Sequence, residues 1–261
     1  MPIARALLWI ASAGALALLA RTVLGAAPPP WVAAIALGGY LTLAAVGAVV
    51  PQLEMYGDVF WRGEPGTRGV ALTFDDGPDP ATTPRVLELL HAHGARATFF
   101  VIGHKVRLHP ELVRRIAADG HAIGVHGDQH DRLHTLRSPR RVLEDLERAI
   151  GAVEAATGAR PTLFRPPIGH VSPRTVAAAR RAGVTIVAWS VRARDGVGSP
   201  APEAVAARIA RGLRDGAVVA LHDASERGDR EPASVRALPQ VLDALRSRGL
   251  PTVTLDELGA G

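Results

Sequence analysis

The sequence predicts an α/β domain on a parallel sheet, open or closed into a barrel, behind an N-terminal pair of transmembrane helices. Three observations carry this. From Gly69 onward, seven short β-branched or aromatic runs alternate with six helical patterns. Glycines stand where those helices should stop. The first fifty residues form two apolar stretches almost without charge.

Residues 1–53 hold Arg5 and Arg21 and no acid. Ala6 to Ala20 is an apolar run flanked by those arginines, and Trp31 to Val50 is twenty residues without a charge, the length that crosses a bilayer core. Pro28-Pro29-Pro30 separates the runs and cannot be helix interior. A two-helix hairpin that places residues 6–50 in the membrane follows, with Arg21 snorkelling to an interface. In a rival reading the first run is a signal peptide cleaved near Ala26-Ala27 and the second is the anchor. Two buried soluble helices fit lengths near twenty poorly. One arginine on each side of the first run does not fix the orientation. An uncleaved hairpin puts the N-terminus and the later domain on the same side of a bacterial inner membrane.

Residues 54–68, rich in Glu, Gly, Pro, Arg and Asp, read as a linker, which leaves 69–261 as the α/β domain. Strands are expected at 70–74, 97–101, 121–125, 162–164, 184–189, 217–221 and 252–255. Helices are expected at 83–93, 105–118, 138–157, 173–182, 202–213 and 234–248. Ser138-Pro139 and Ser172-Pro173 each pair an N-cap with proline at the first helical position. Gly94, Gly120, Gly183 and Gly249 mark helix ends. No repeat or low-complexity segment interrupts the pattern.

Composition bounds the chemistry. About half of the 261 residues are hydrophobic, enough for a real core. Beyond residue 53, 28 of the 30 basic residues face all 25 acidic ones. That balance, with no basic block or aromatic stacking motif, excludes a nucleic-acid binder. Lys105 is the only lysine; the Arg, Ala and Gly excess reads as a GC-rich genome. There is no cysteine, so any metal must sit on His, Asp or Glu. No protein partner is implied.

Polar clusters fall just after predicted strands: Asp75-Asp76, His126 with His130, Arg165, Asp195 and His222. In parallel α/β folds the C-terminal strand ends share one face, where sites form, so these residues should converge. Neighbouring residues leaving a strand point apart, so one aspartate can bind a metal while the other faces substrate. Asp-Gly-Pro is also ordinary turn chemistry. His126 and His130 stand four apart, and with a strand-end aspartate they make an Asp-His-His set with open positions, a catalytic arrangement. The other seven histidines (His91, His93, His104, His109, His121, His134 and His170) are expected to be structural. Zinc fits this set best; cobalt, nickel and manganese also suit N/O ligands. Arg165-Pro166-Pro167-Ile168-Gly169 is a rigid loop with the Ile168 N–H a free donor and the arginine able to hold a carboxylate. His222, at the mouth of a buried strand, suits proton transfer near neutral pH.

Taken together, Thr73 to Pro78, His126/His130, Arg165-Pro166-Pro167-x-Gly169 and Leu221-His222-Asp223 resemble the polysaccharide deacetylase family, carbohydrate esterase family four, over residues 69–256. The resemblance implies a distorted parallel (β/α)7 barrel and a single-metal hydrolase. Asp76, His126 and His130 are then the metal ligands and Asp75 the general base. Arg165 orients Asp75, and His222 is the general acid, with Asp195 as its partner. The Ile168 N–H helps to hold the oxyanion. The chain departs from the family pattern at Gly127, Asp131, Ile168 and Gly196, where Ser or Thr, Pro, an aromatic residue and Trp are usual. The missing aromatics imply a different or more open substrate groove.

The expected function is removal of N-acetyl groups from amino sugars of a cell-surface polysaccharide or lipid-linked glycan. O-acetyl ester cleavage and a silent membrane-tethered glycan-binding module are the alternatives. A glycosidase needs two separated carboxyls flanking one bond, which adjacent Asp75 and Asp76 do not provide.

Overall fold

The computed structural model describes residues 1–195 and 200–260. Its centre is β1 (Val70–Asp75), apolar at Val70, Ala71, Leu72 and Phe74 and buried along its whole length. A strand buried on both faces reads as a continuous apolar run, as parallel sheets require. β1 is followed by α3 (Thr83–Ala92), β2 (Thr98–Val101), α4 (Gly103–Leu108), α5 (Pro110–Ala118) and β3 (Ala122–Val125). Then come α6 (Pro139–Thr157), β4 (Leu163–Phe164), α7 (Pro173–Ala182), β5 (Thr185–Ile186) and β6 (Val191–Arg192). The chain ends with α8 (Pro202–Gly212), β7 (Val218–His222), α9 (Ala233–Ser247), β8 (Thr252–Val253) and α10 (Leu255–Leu258).

All ladder pairings are parallel, in the order β5-β4-β3-β2-β1-β7-β6, with β8 against the start of β1. This is the distorted barrel that the sequence resemblance implies. The segment expected as one strand, 184–189, carries the closure. Its start pairs with β4 and its continuation, β6, pairs with β7, so one stretch of chain spans the gap between the sheet's two edges. The single helix expected at 105–118 is two. His109 precedes Pro110, and the residue before proline is pushed out of the helical region; its φ is −134°.

Residues 54–68, expected as a linker, lie against the barrel. Phe60 bridges to Val187 and Arg62 to Ala217. Met55 and Val59 are buried. α1 (Ile3–Val23) and α2 (Pro30–Val49) precede this segment as an apolar hairpin, with a Ser12–Tyr40 hydroxyl contact of 3.3 Å between them. The Arg5 guanidinium donates to the Glu54 carbonyl and pairs with Asp58, so the N-terminus lies at the barrel end of the hairpin. Gly47 lies so close to Met55 that a Cβ there would meet its sulfur at 2.2 Å.

Candidate active site

Strand ends build the site. Asp75 is the last residue of β1, and register pairs it with His222, the last residue of β7. Asp76 follows at φ 74°, a left-handed conformation that non-glycine residues seldom adopt but aspartate tolerates. This turn separates the directions of the two neighbouring carboxylates.

The Arg165 guanidinium is fully buried behind the site. It donates to Asp75 Oδ1 and Thr73 Oγ1, each at 2.7 Å, and to the Ala188 carbonyl at 3.0 Å. It also lies 4.2 Å from the Phe100 ring centroid. Burial alone would raise the Asp75 carboxyl; Arg165, His126 and His222 outweigh it and hold it below the usual carboxylate range.

His126 donates from Nδ1 to the Arg165 carbonyl at 2.6 Å, which leaves Nε2 bare and facing Asp76. Burial dominates its titration and, with His130 adding to it, pulls the imidazole down to about 4 against Asp75 and Asp76. It is therefore neutral, as a metal ligand must be. His130 Nε2 also faces Asp76, and its Nδ1 lies 3.2 Å from Glu226 Oε1, outside good hydrogen-bond geometry.

Ligand atoms of Asp76, His126 and His130 all lie within 4.8 Å of one another. The two Nε2 atoms stand 3.6 and 3.4 Å from Asp76 Oδ1, which is buried without a hydrogen-bond donor. Ligands bound at about 2.0–2.1 Å in a tetrahedral array are roughly 3.4 Å apart. The donor set, its spacing and the orphaned oxygen fit a divalent metal ion.

His222 Nδ1 meets Asp195 Oδ1 at 2.9 Å, and the His222 backbone N–H donates to Asp195 Oδ2 at 3.0 Å. Nε2 remains on the site side, 4.0 Å from Asp76 Oδ2. Burial would lower this imidazole, but Asp195, Asp76 and Asp75 push it up to about 10.

Asp75, Asp76, His126, His130, Ile168, Asp195 and His222 line one pocket of about 600 Å³, with Arg165 just beneath it. Another cavity, about 540 Å³, lies beneath residues 58–65 and carries none of these groups. None of the seven histidines expected to be structural lines the site pocket. Ile168 sits at φ 53°, an outlier for a β-branched residue, on the turn between Pro167 and Gly169.

Several neighbours carry no sequence motif. Trp189 packs on Gly169 and forms a wall of the pocket, so an aromatic wall exists where the loop itself offers only Ile168. Gly196, the other position where an aromatic is missing, lies outside the described residues. Glu226 reaches His130 from the loop after β7. Lys105 donates to the carbonyls of Asp76 and Ser225 at 2.8 and 2.6 Å, tying two site loops together. Being the chain's only lysine was the one available signal for it. Burial pushes the Asp223 carboxyl up to about 7 despite the Thr83 hydroxyl and Lys105 beside it.

A sequence model of the polysaccharide deacetylase family matches residues 62–187. The peptidoglycan-N-acetylglucosamine deacetylase of Bacillus cereus is 36% identical over 210 residues, which cover 79% of this chain and 95% of that protein. The chain belongs to the polysaccharide deacetylase family. A further family member, the chitooligosaccharide deacetylase of a Bradyrhizobium species, is 37% identical over 78% of this chain and 94% of its own. Among solved structures, a family 4 acetyl xylan esterase from Clostridium thermocellum, in complex with a cobalt ion, superposes with a TM-score of 0.67 at 33% identity. That match covers 72% of this chain and 89% of the esterase. This polysaccharide deacetylase is thus placed among hydrolases.

Proposed function

We propose that this family member is a membrane-anchored, divalent-metal-dependent N-deacetylase of amino-sugar residues in a cell-surface polysaccharide or lipid-linked glycan. The observation that carries the proposal is a pairing across β1 and β7. A carboxylate held ionised, Asp75, stands opposite an imidazole held protonated, His222, beside the Asp76-His126-His130 cluster.

Asp76, His126 and His130 hold the ion, zinc by preference for this N/O set, with cobalt, nickel or manganese also suited to it. When bound, such an ion acidifies a water and polarises an acyl carbonyl. Asp75 acts as general base; Arg165 on Oδ1 fixes its orientation and leaves Oδ2 to take the proton from water. The Ile168 N–H supports the developing oxyanion. His222, steered by Asp195, donates its Nε2 proton to the departing nitrogen, which leaves poorly unless protonated. The same groups also serve ester cleavage, and the likeness to an acetyl xylan esterase keeps O-deacetylation as the second reading.

The anchor rests on α1 and α2, which are 21 and 20 residues long, apolar, and buried only at Gly47. Residues 1–53 then form the membrane segment and 69–261 the catalytic domain, with 54–68 laid along the barrel.

The test is acetate release by the full chain from peptidoglycan, chitooligosaccharides and acetylated xylan, with and without chelator. Chelation, Asp75→Asn and His126→Ala should each lower turnover by about 100- to 10,000-fold. Release that persists in either variant sinks the proposal; release from xylan alone selects the ester reading.

A further inference from the structure

The floor of the site pocket is acidic and imidazole-bearing, but its rim is basic. Five arginines line it among the described residues, against Glu226 and Asp229 on the same rim. Arg132 is committed to Glu226 through two hydrogen bonds. Arg192 is exposed and lies 5.1 Å over the Trp189 ring. Arg194, held at φ 57° one residue before Asp195, and Arg227, one residue after Glu226, are also exposed. Neither has an acidic partner among the described residues.

Unpaired cations around a concave site concentrate anions there. A guanidinium fork matches phosphate and carboxylate oxygens in pairs, and it survives desolvation better than an ammonium. A neutral N-acetylated oligosaccharide gives these groups no charge to meet. We propose that Arg192, Arg194 and Arg227 form an anionic subsite, so that the substrate carries a phosphate or carboxylate close to the acylamino group. The subsite rests on the deacetylase reading of the adjoining residues. Its position favours a membrane-borne source. Gln52, just beyond α2, donates to the Trp189 carbonyl at 2.9 Å, and the Val171 N–H donates to the Ala48 carbonyl at 3.0 Å. The pocket wall of Ile168, Gly169 and Trp189 is thereby tied to the end of the hairpin.

The experiment uses the full chain in detergent micelles with its divalent ion. It compares kcat/KM for a neutral N-acetylchitotetraose, a muramic-acid-containing tetrasaccharide and a polyprenyl diphosphate N-acetylglucosamine. At least one anionic glycan should be preferred by about tenfold or more, the effect of one charge-assisted hydrogen bond. The preference should fall below about threefold in Arg194→Gln/Arg227→Gln and return in part in Arg194→Lys/Arg227→Lys. Preference for the diphosphate points to a lipid-linked substrate, and preference for the carboxylate to a wall glycan; either supports the subsite. Equal turnover of all three, or a preference unchanged in the glutamine variant, overturns it.

Calorimetric binding of the same glycans to Asp75→Asn protein separates the two proposals. If the parent releases acetate from none of them, the deacetylase reading fails, and the affinities alone decide the subsite. Should the glutamine variant lose only its binding to anionic lipid vesicles and keep its glycan preference, the arginines serve the membrane surface and the subsite is wrong.

Discussion

Asp195 grips His222 at both the ring and the backbone, and this makes the imidazole's charge testable. In the metal-free protein, burial is outweighed by Asp195, Asp76 and Asp75, and the pKa rises to about 10. An unfolded histidine titrates at about 6.5. A folded pKa above the unfolded one means that the folded state holds the extra proton. The pair's stability is therefore complete below about 6.5 and is lost as pH rises through the folded value. Asp223, pushed up to about 7, has largely finished titrating before the upper half of that window. The chelated full chain should lose several degrees of Tm between about pH 7.5 and 10. Asp195→Asn should remove most of that slope, measured as the difference between the two melting profiles. At this scale the sequence was legible where chemistry needs a residue type in a short motif: Asp75-Asp76, His126/His130 and Arg165. Trp189 and Glu226 were not legible. One looks like any aromatic in a strand and the other like any acid in a charged loop, and only tertiary placement brings them to Gly169 and His130.

Among the elements, the turn after β4 governs the site's shape. Gly169 has φ 74°, and a Cβ on it would lie 2.2 Å from the Trp189 ring. Gly169→Ala must therefore move Trp189, a wall of the pocket, as well as strain the backbone. Gly158, the αL cap of α6, has a similar φ of 75° with nothing within 4 Å of its Cβ position. Both alanine variants should be destabilised by about 1 kcal/mol or more through the backbone. Only Gly169→Ala should lose deacetylation, by at least about tenfold, as expected when site groups are misplaced by about an ångström. Thermal melts and kcat measured side by side decide this, and equal activity in the two variants would show that the Trp189 contact does not shape the site. α6 and α7 were legible because Ser138-Pro139 and Ser172-Pro173 start them, and the expected glycine, Gly183, ends α7 in the αL conformation. The break at Pro110 was readable in principle, since the residue before a proline resists helix. β6 was not, because two residues carry no periodicity.

For the whole molecule, the question is where the barrel begins. Composition made residues 54–68 look like a linker, because glycine, proline and charge outnumber strand formers there. What the segment does is decided by long-range pairing, which no local pattern reports. Phe60 bridges Val187 in the stretch that closes the sheet, Arg62 bridges Ala217, and Val59 joins the main core. The hairpin, by contrast, touches the barrel through few polar contacts: Arg5 to Glu54 and Asp58, Tyr56 to Ala44, and Val171 to Ala48. Two truncations separate these roles. A chain starting at Pro51 removes the apolar helices and keeps the bridges; it should be soluble without detergent and melt cooperatively. A chain starting at Gly69 also strips the Phe60 and Arg62 bridges and the Val59 side chain from the seam. A fully buried side chain of that kind contributes about 1.5–3 kcal/mol, and a domain is typically stable by only about 5–15 kcal/mol. The shorter chain should therefore aggregate or melt at least about 10 °C lower. Equal melting of the two truncations, read by circular dichroism in the same buffer, would return residues 54–68 to the status of a linker and place the closure of the barrel entirely on β5 and β6.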